Sequence, residues 1–190
     1  MIKRIYIDNF RTLVNFELDL DNINLLLGKN GTGKTSIFHA LKSIKQFAEG
    51  NGKIGDFFPY RELTKWQKNL LQKFELDIES KEGLYRYELA IEHTDDGKLR
   101  RVEYERLLFN DNPLIKFEHG DVQLYRDNFS AGPAYQFNWT MSALSTILPS
   151  PDNKLLTWFR DQLENLVIVQ IIPPMMDIET MGDERTPSPH

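Results

Sequence analysis

Residues Gly28 to Thr35 read GKNGTGKT and fill every fixed position of the pattern G-x-x-x-x-G-K-[ST]. Glycines at 28, 31 and 33 let a backbone approach a ligand with no Cβ in the way. Such a loop cradles phosphates with converging N–H groups, and the helix that follows adds its positive end. Lys34 would lie along the β- and γ-phosphates as a point charge, and Thr35 would offer its hydroxyl to Mg²⁺. Gly28, Lys29, Asn30, Gly31, Thr32, Gly33, Lys34, Thr35 and Ser36 are therefore the candidate nucleotide-binding residues. Lys34 is the candidate phosphate stabiliser, with no general base identified. A guanine-specific N-K-x-D motif is missing, since Asn153-Lys154 runs into Leu155 and Leu156, so ATP is favoured over GTP.

A phosphate loop needs a buried strand before it and a helix after it, and the flanks have that character. INLLL is nearly continuous apolar sequence, as expected of a strand covered on both faces. From Lys34 to Ala48, Ile37, Phe38, Leu41, Ile44 and Ala48 recur at helical spacing. Upstream, RIYI and VNFELDL read as strands, with Phe16, Leu18 and Leu20 on one face. A short helix is expected after Thr64. Residues 72–126 read as an antiparallel meander, punctuated by KEG, TDDG, NDNP and EHGD. Helical material is expected in TMSALSTIL and in PDNKLLTWFRDQLENL, the latter capped by Ser150 or Asp152. LVIVQII reads as a returning strand, and 173–190 as an irregular tail.

The 190 residues carry 23 basic and 28 acidic side chains, so a net charge of −5 gives no global attraction to nucleic acid. The absence of cysteine excludes disulfides and thiolate metal sites. No apolar run approaches a membrane span, and a cytoplasmic protein without membrane contact is expected.

The stretch IYIDNFRTLVNFELDLDNINLLLGKNGTGKTSIFHAL resembles the opening of the SMC/RecF-like branch of ABC-type ATPases, a branch broadly grouped with AAA-family ATP-binding proteins. That branch includes ATPase modules of OLD-type nucleases and phage-defence systems. VEYERLLFN also resembles the family's E-x-L strand. The resemblance implies an α/β P-loop NTPase fold: an ABC-ATPase-like lobe with a mixed central sheet and an added antiparallel β-meander. It implies ATP and Mg²⁺ as cofactors, places Arg11 of NFR near the nucleotide, and calls for a γ-phosphate-sensing glutamine, for which Gln123 and Gln136 are candidates.

Two family features are missing from the sequence: an LSGGQ-like signature and an apolar strand ending in Asp-Glu. The expectation is therefore a single ATP-binding domain over 1–190 that forms the N-terminal part of a larger ATPase. Hydrolysis would belong to the complete, homodimeric protein, in DNA repair or anti-phage defence, with DNA or an effector nuclease as partner. The alternatives are a small P-loop metabolite kinase and a nucleotide-gated interaction module that does not hydrolyse. Lys42, Lys45, Lys53, Lys65, Lys68, Lys73, Arg100 and Arg101 are the cations available for DNA, while Trp66, Trp139 and Trp158 are expected to pack in cores. The four histidines have no ligand-like spacing.

Overall fold

Alternation of apolar and charged residues over most of the first 136 positions produces one eight-stranded sheet. A computed structural model describes residues 1–29 and 31–169. The strands are β1 (Ile2–Asp8), β2 (Phe16–Asp19), β3 (Leu71–Glu79), β4 (Leu84–His93), β5 (Arg100–Phe109), β6 (Asn112–Glu118), β7 (Asp121–Tyr125) and β8 (Ala131–Gln136). Their order is β2-β1-β3-β4-β5-β6-β7-β8, and each neighbouring pair is antiparallel. The meander thus runs one strand further than its sequence pattern suggested. β8 (AGPAYQ) hides because glycine and proline interrupt its alternation.

Helix α1 spans Lys34–Ala48, as its spacing predicts, and α3 spans Lys154–Glu164. They cover the apolar face of the sheet, where Ile5, Leu76, Tyr87, Leu107 and Ile115 stand opposite one another across five strands. Ring contacts from Phe10 to Phe74, from Phe74 to Phe58 and from Phe58 to Phe47 carry the core from the end of β1 to the end of α1, with ring centroids 5.0–5.9 Å apart. The other face is laced with ion pairs, among them Arg4 with Glu17 and Glu75, Arg86 with Asp77, and Arg106 with Glu88 and Glu118.

Several local expectations are corrected. The segment after Thr64 is a turn, and the helical pieces come before it: α2 (Ile54–Phe57) and a 3-10 turn at Tyr60–Glu62. Of TMSALSTIL only Leu144–Thr146 is helical, as one 3-10 turn. Neither Ser150 nor Asp152 caps α3. Asp127, from the β7–β8 loop, accepts the N–H groups of Lys154 and Leu155 at 2.9 and 3.0 Å. A tertiary contact has taken over a job that local sequence offered to its own neighbours.

The largest departure concerns the central sheet. Every pairing among the described residues is antiparallel, so the mixed sheet is not formed by them. INLLL pairs with no strand. Ile23, Leu25 and Leu27 are 92, 79 and 80% exposed, while Leu26 packs against the core. Leu166–Val169 behave alike, with Val167 and Val169 exposed and Ile168 packed inward. Residues 170–172 of that expected strand, and the tail 173–190, lie outside the described residues. A strand buried on two faces requires two layers, and the described residues supply only one. Phe38, expected in the buried stripe of α1, is for the same reason half exposed, beside Leu25 and Leu26 in an apolar groove of about 520 Å³.

Candidate functional site: a phosphate pocket closed by the NFR turn

The start of α1 is built to receive an anion. Gly33 precedes the helix at φ 94°, no side chain caps it, and no acidic residue occupies its first turn. Its first N–H groups and its positive end are left for a ligand. The adjoining pocket, about 390 Å³, is lined by Thr12, Gly31, Gly33, Lys34, Thr35 and Ser36. A Cβ on Gly33 would meet Thr12 Oγ1 and Leu13 Cδ2, each at 2.9 Å, so glycine is required there for closeness as well as for its positive φ.

Lys34 folds back over its own loop. Its ammonium donates to the carbonyl oxygens of Gly28 and Lys29, the latter at 2.8 Å, and lies 3.4 Å from the Thr32 hydroxyl. A phosphate would offer this ammonium a charged partner in exchange for neutral ones, which makes a stronger bond. Thr35 is exposed at the pocket wall, where its hydroxyl is free to hold a divalent cation. The residues present thus fit a magnesium–nucleotide: backbone donors and Lys34 for the phosphates, Thr35 for the metal. Asn30 lies outside the described residues.

The opposite wall comes from the turn after β1. Asn9 and Arg11 both adopt positive φ, 58° and 54°, and reciprocal backbone bonds join Phe10 and Leu13. Asn9 is fully buried. Its amide donates to the carbonyls of Asn69 (2.6 Å) and Leu71 (3.1 Å), while its Oδ1 accepts the Thr64 N–H. Gln72, also buried, donates to the carbonyls of Asn9 and Glu62 and meets His93 Nε2 at 3.0 Å. Arg11 forms a two-nitrogen ion pair with Glu62, whose carbonyl also takes the Arg11 N–H at 2.6 Å. His39, near this pair, is held below its ordinary pKa by burial and by the charges of Arg11 and Lys42, against the pull of Glu62.

Of the predicted residues, the structure brings Gly31, Gly33, Lys34, Thr35 and Ser36 together, with Gly28, Lys29 and Thr32 gathered around the lysine. Arg11 is engaged by Glu62, and its neighbour Thr12 is the residue of the turn that lines the pocket. Sequence reasoning missed Thr12, because a hydroxyl after NFR reveals its type but not its aim. Gln123 and Gln136 sit on β7 and β8, near the far edge of the sheet. Gln123 bonds the carbonyls of Leu124 and Gly132, Gln136 bonds Asp121, and neither reaches the phosphate loop. The glutamine tied to the NFR turn is Gln72. TDDG is spent on its turn, where Asp96 accepts from Thr94 and Lys98. Glu105, from the E-x-L strand, occupies a core position between Leu89 and Phe117. It accepts the hydroxyls of Tyr87 (2.7 Å) and Ser142 (2.6 Å) and the Ala143 N–H (2.7 Å). No cluster of three metal-ligating side chains occurs among the described residues, and no helix there is long and apolar enough to cross a membrane.

A glycine loop feeding an open helix end, with a flanking antiparallel sheet, defines a P-loop nucleotide-binding module of α/β type. The chain belongs to the AAA ATPase domain family, whose model matches residues 1–134. It is similar to proteins named DNA replication and repair protein RecF. The one from Clostridium acetobutylicum is 42% identical over 69 residues, covering 36% of this chain and 18% of the relative. The one from Rickettsia typhi is 33% identical over 116 residues, covering 58% and 29%, and the one from Shewanella loihica is 46% identical over 41 residues, covering 21% and 11%. The chain spans less than a third of the length of these curated relatives. The resemblance to the SMC/RecF-like branch carried by NFR and the phosphate loop is thereby shown, and with it a nucleotide-binding ATPase module.

Proposed function

We propose that this chain is the ATP-binding N-terminal lobe of an SMC/RecF-like ATPase that works on DNA, in repair or in anti-phage defence. Its backbone donors and Lys34 hold the phosphates, and Thr35 holds Mg²⁺. When bound, the metal supplies positive charge to the β- and γ-phosphate oxygens. The described residues that line the pocket include no carboxylate, so nothing there takes a proton from an attacking water. Hydrolysis then awaits groups supplied by a further polypeptide portion and by a second head in a homodimer.

The observation that carries this reading is the unpaired segment leading into the loop. Ile23, Leu25 and Leu27 alternate outward with Leu26 inward, which suits a strand whose second layer and strand partners come from elsewhere. The name of the RecF relatives supports the link to DNA.

Calorimetric titration with MgATP tests the proposal. Wild type binds, Lys34→Ala loses at least roughly tenfold in affinity, as befits a charged hydrogen-bond donor, and the chain alone shows negligible turnover. Substantial ATP hydrolysis by these 190 residues, or undiminished binding by Lys34→Ala, would overturn it.

A further inference from the structure

The expectation that all three tryptophans pack in cores is met by Trp158 alone, which lies against the core, while Trp139 is 49% exposed and Trp66 more so. Trp158 stacks on Tyr85 with centroids 4.7 Å apart, and Trp139 lies under the Arg101 guanidinium. Trp66 has no aromatic or cationic partner among the described residues and is 67% exposed. It sits at the tip of the Thr64–Gln67 turn, closed by the Gln67 N–H to the Thr64 carbonyl at 3.1 Å.

Three cations close to it in the sequence are unspent, unlike others of the basic residues. Lys45 is consumed by Glu49 and the end of α3, and Arg101 by Glu92 and Glu103. Arg61, Lys65 and Lys68 form no ion pair among the described residues, and they line a groove of about 520 Å³ beside the turn. The nearest acid of the sequence, Glu62, is engaged with Arg11, leaving Asp95 as the one carboxylate among the described residues that line the groove. Thr64 also lines it, with a buried hydroxyl that has no partner among the described residues. The stem of the turn is rigid, since Thr64 N–H is held by Asn9 and Glu62 by Arg11. Rigid presentation lowers the ordering cost of binding.

We infer that the Trp66 turn and its groove form a contact site for single-stranded nucleic acid, the indole stacking on an unpaired base and Arg61, Lys65 and Lys68 meeting phosphates. A base can stack on an exposed indole only when it is free of its duplex, which favours a single strand over a double one. An acidic peptide would satisfy the cations but leave the indole unused. The inference deepens the DNA-linked part of the proposed function and rests on it, yet it is tested without nucleotide.

The experiment is anisotropy of a labelled oligo-dT of about 15 nucleotides, near the upper site size of one small binding domain, titrated with the full chain at several salt concentrations. Wild type is expected to bind, Trp66→Ala to bind roughly 5- to 150-fold more weakly, and Trp66→Phe to retain most of the affinity. Lys65→Gln and Lys68→Gln each reduce the salt slope by about 0.7, as for one phosphate contact on a single strand. Thermal melting confirms that the variants stay folded, which their surface positions favour. No binding by wild type at low salt, equal binding by Trp66→Ala, or displacement of the oligonucleotide by poly-glutamate at matched charge would each overturn the inference. MgATP titration of wild type and Lys34→Ala is scored separately, so failure at Trp66 and failure of the nucleotide site are told apart.

Discussion

Arg11 grips Glu62 twice, through its guanidinium and through its backbone N–H, and in doing so fixes the turn whose next residue, Thr12, stands against Gly33 of the phosphate loop. A left-handed arginine is strained, and the ion pair offsets that strain. Glu62→Ala should cost about 1 kcal/mol in a denaturant melt, the upper range for a partly exposed pair. It should also weaken MgATP binding several-fold, because Thr12 loses its support. Unchanged affinity would separate the turn from the site.

Thr12 itself makes a sharper case. Its hydroxyl lines the phosphate pocket, and a hydrogen bond to a charged group contributes about 1.5–3 kcal/mol. Thr12→Val, equal in shape, should bind MgATP about tenfold more weakly with an unaltered melting temperature, and Thr12→Ser should restore binding. Comparing ATP, ADP and AMP identifies which phosphate the hydroxyl meets.

Glu105 is a buried carboxyl surrounded by donors. Burial raises its pKa, and the hydrogen bonds from Ser142, Tyr87 and Ala143 pull it partly back. A raised value means that the fold takes up the proton before the unfolded chain does. Its contribution is therefore largest at low pH and is lost as pH rises through the folded-state value. Glu105→Gln, whose amide can face the two hydroxyls while its oxygen keeps the Ala143 N–H, should remove that pH dependence at little cost. Glu105→Ala, leaving several donors unpaired, should destabilise by about 3 kcal/mol or more. Urea melts from pH 4 to 8 distinguish the two.

His93 acts in the opposite sense. Burial, with help from Arg100, lowers its pKa from 6.5 to about 4, so it stays neutral in the fold. The unfolded chain binds the proton first. Stability is fully present above pH 6.5 and is lost as pH falls toward 4, by about 3 kcal/mol in all. His93→Gln should flatten this acid limb in the same melts, and the His93 ring resonances should not titrate between pH 8 and 5.

Exposed apolar residues before the loop should make the chain self-associate. Leu25→Lys with Leu27→Lys is expected to shift sedimentation toward the monomer without lowering the melting temperature, because neither side chain belongs to the core.

Much of this protein is readable in its sequence because the relevant physics is local. The bounds of α1 follow from the spacing of Ile37, Leu41 and Ile44, and the meander follows from two-residue alternation punctuated by turn residues. The chemistry of Gly28–Ser36 follows from residue types alone: three glycines, a cation and a hydroxyl before a helix.

Other features depend on which distant residues meet. Asp127 caps α3 across 27 residues of chain, Glu62 reaches Arg11 across 51, and Glu105 is satisfied by Ser142 across 37. No periodicity encodes such pairings. INLLL shows the limit most plainly. Its composition determines that both faces seek apolar cover, but whether cover is present depends on other strands, and in this chain Leu26 finds it while Leu25 and Leu27 do not. Residue order alone specified a glycine-rich loop with a lysine and a hydroxyl at the start of a helix. Packing between segments far apart in the chain sets side-chain aim, and it is what put Thr12 against Gly33, held Arg11 with Glu62 and left Trp66 in solvent.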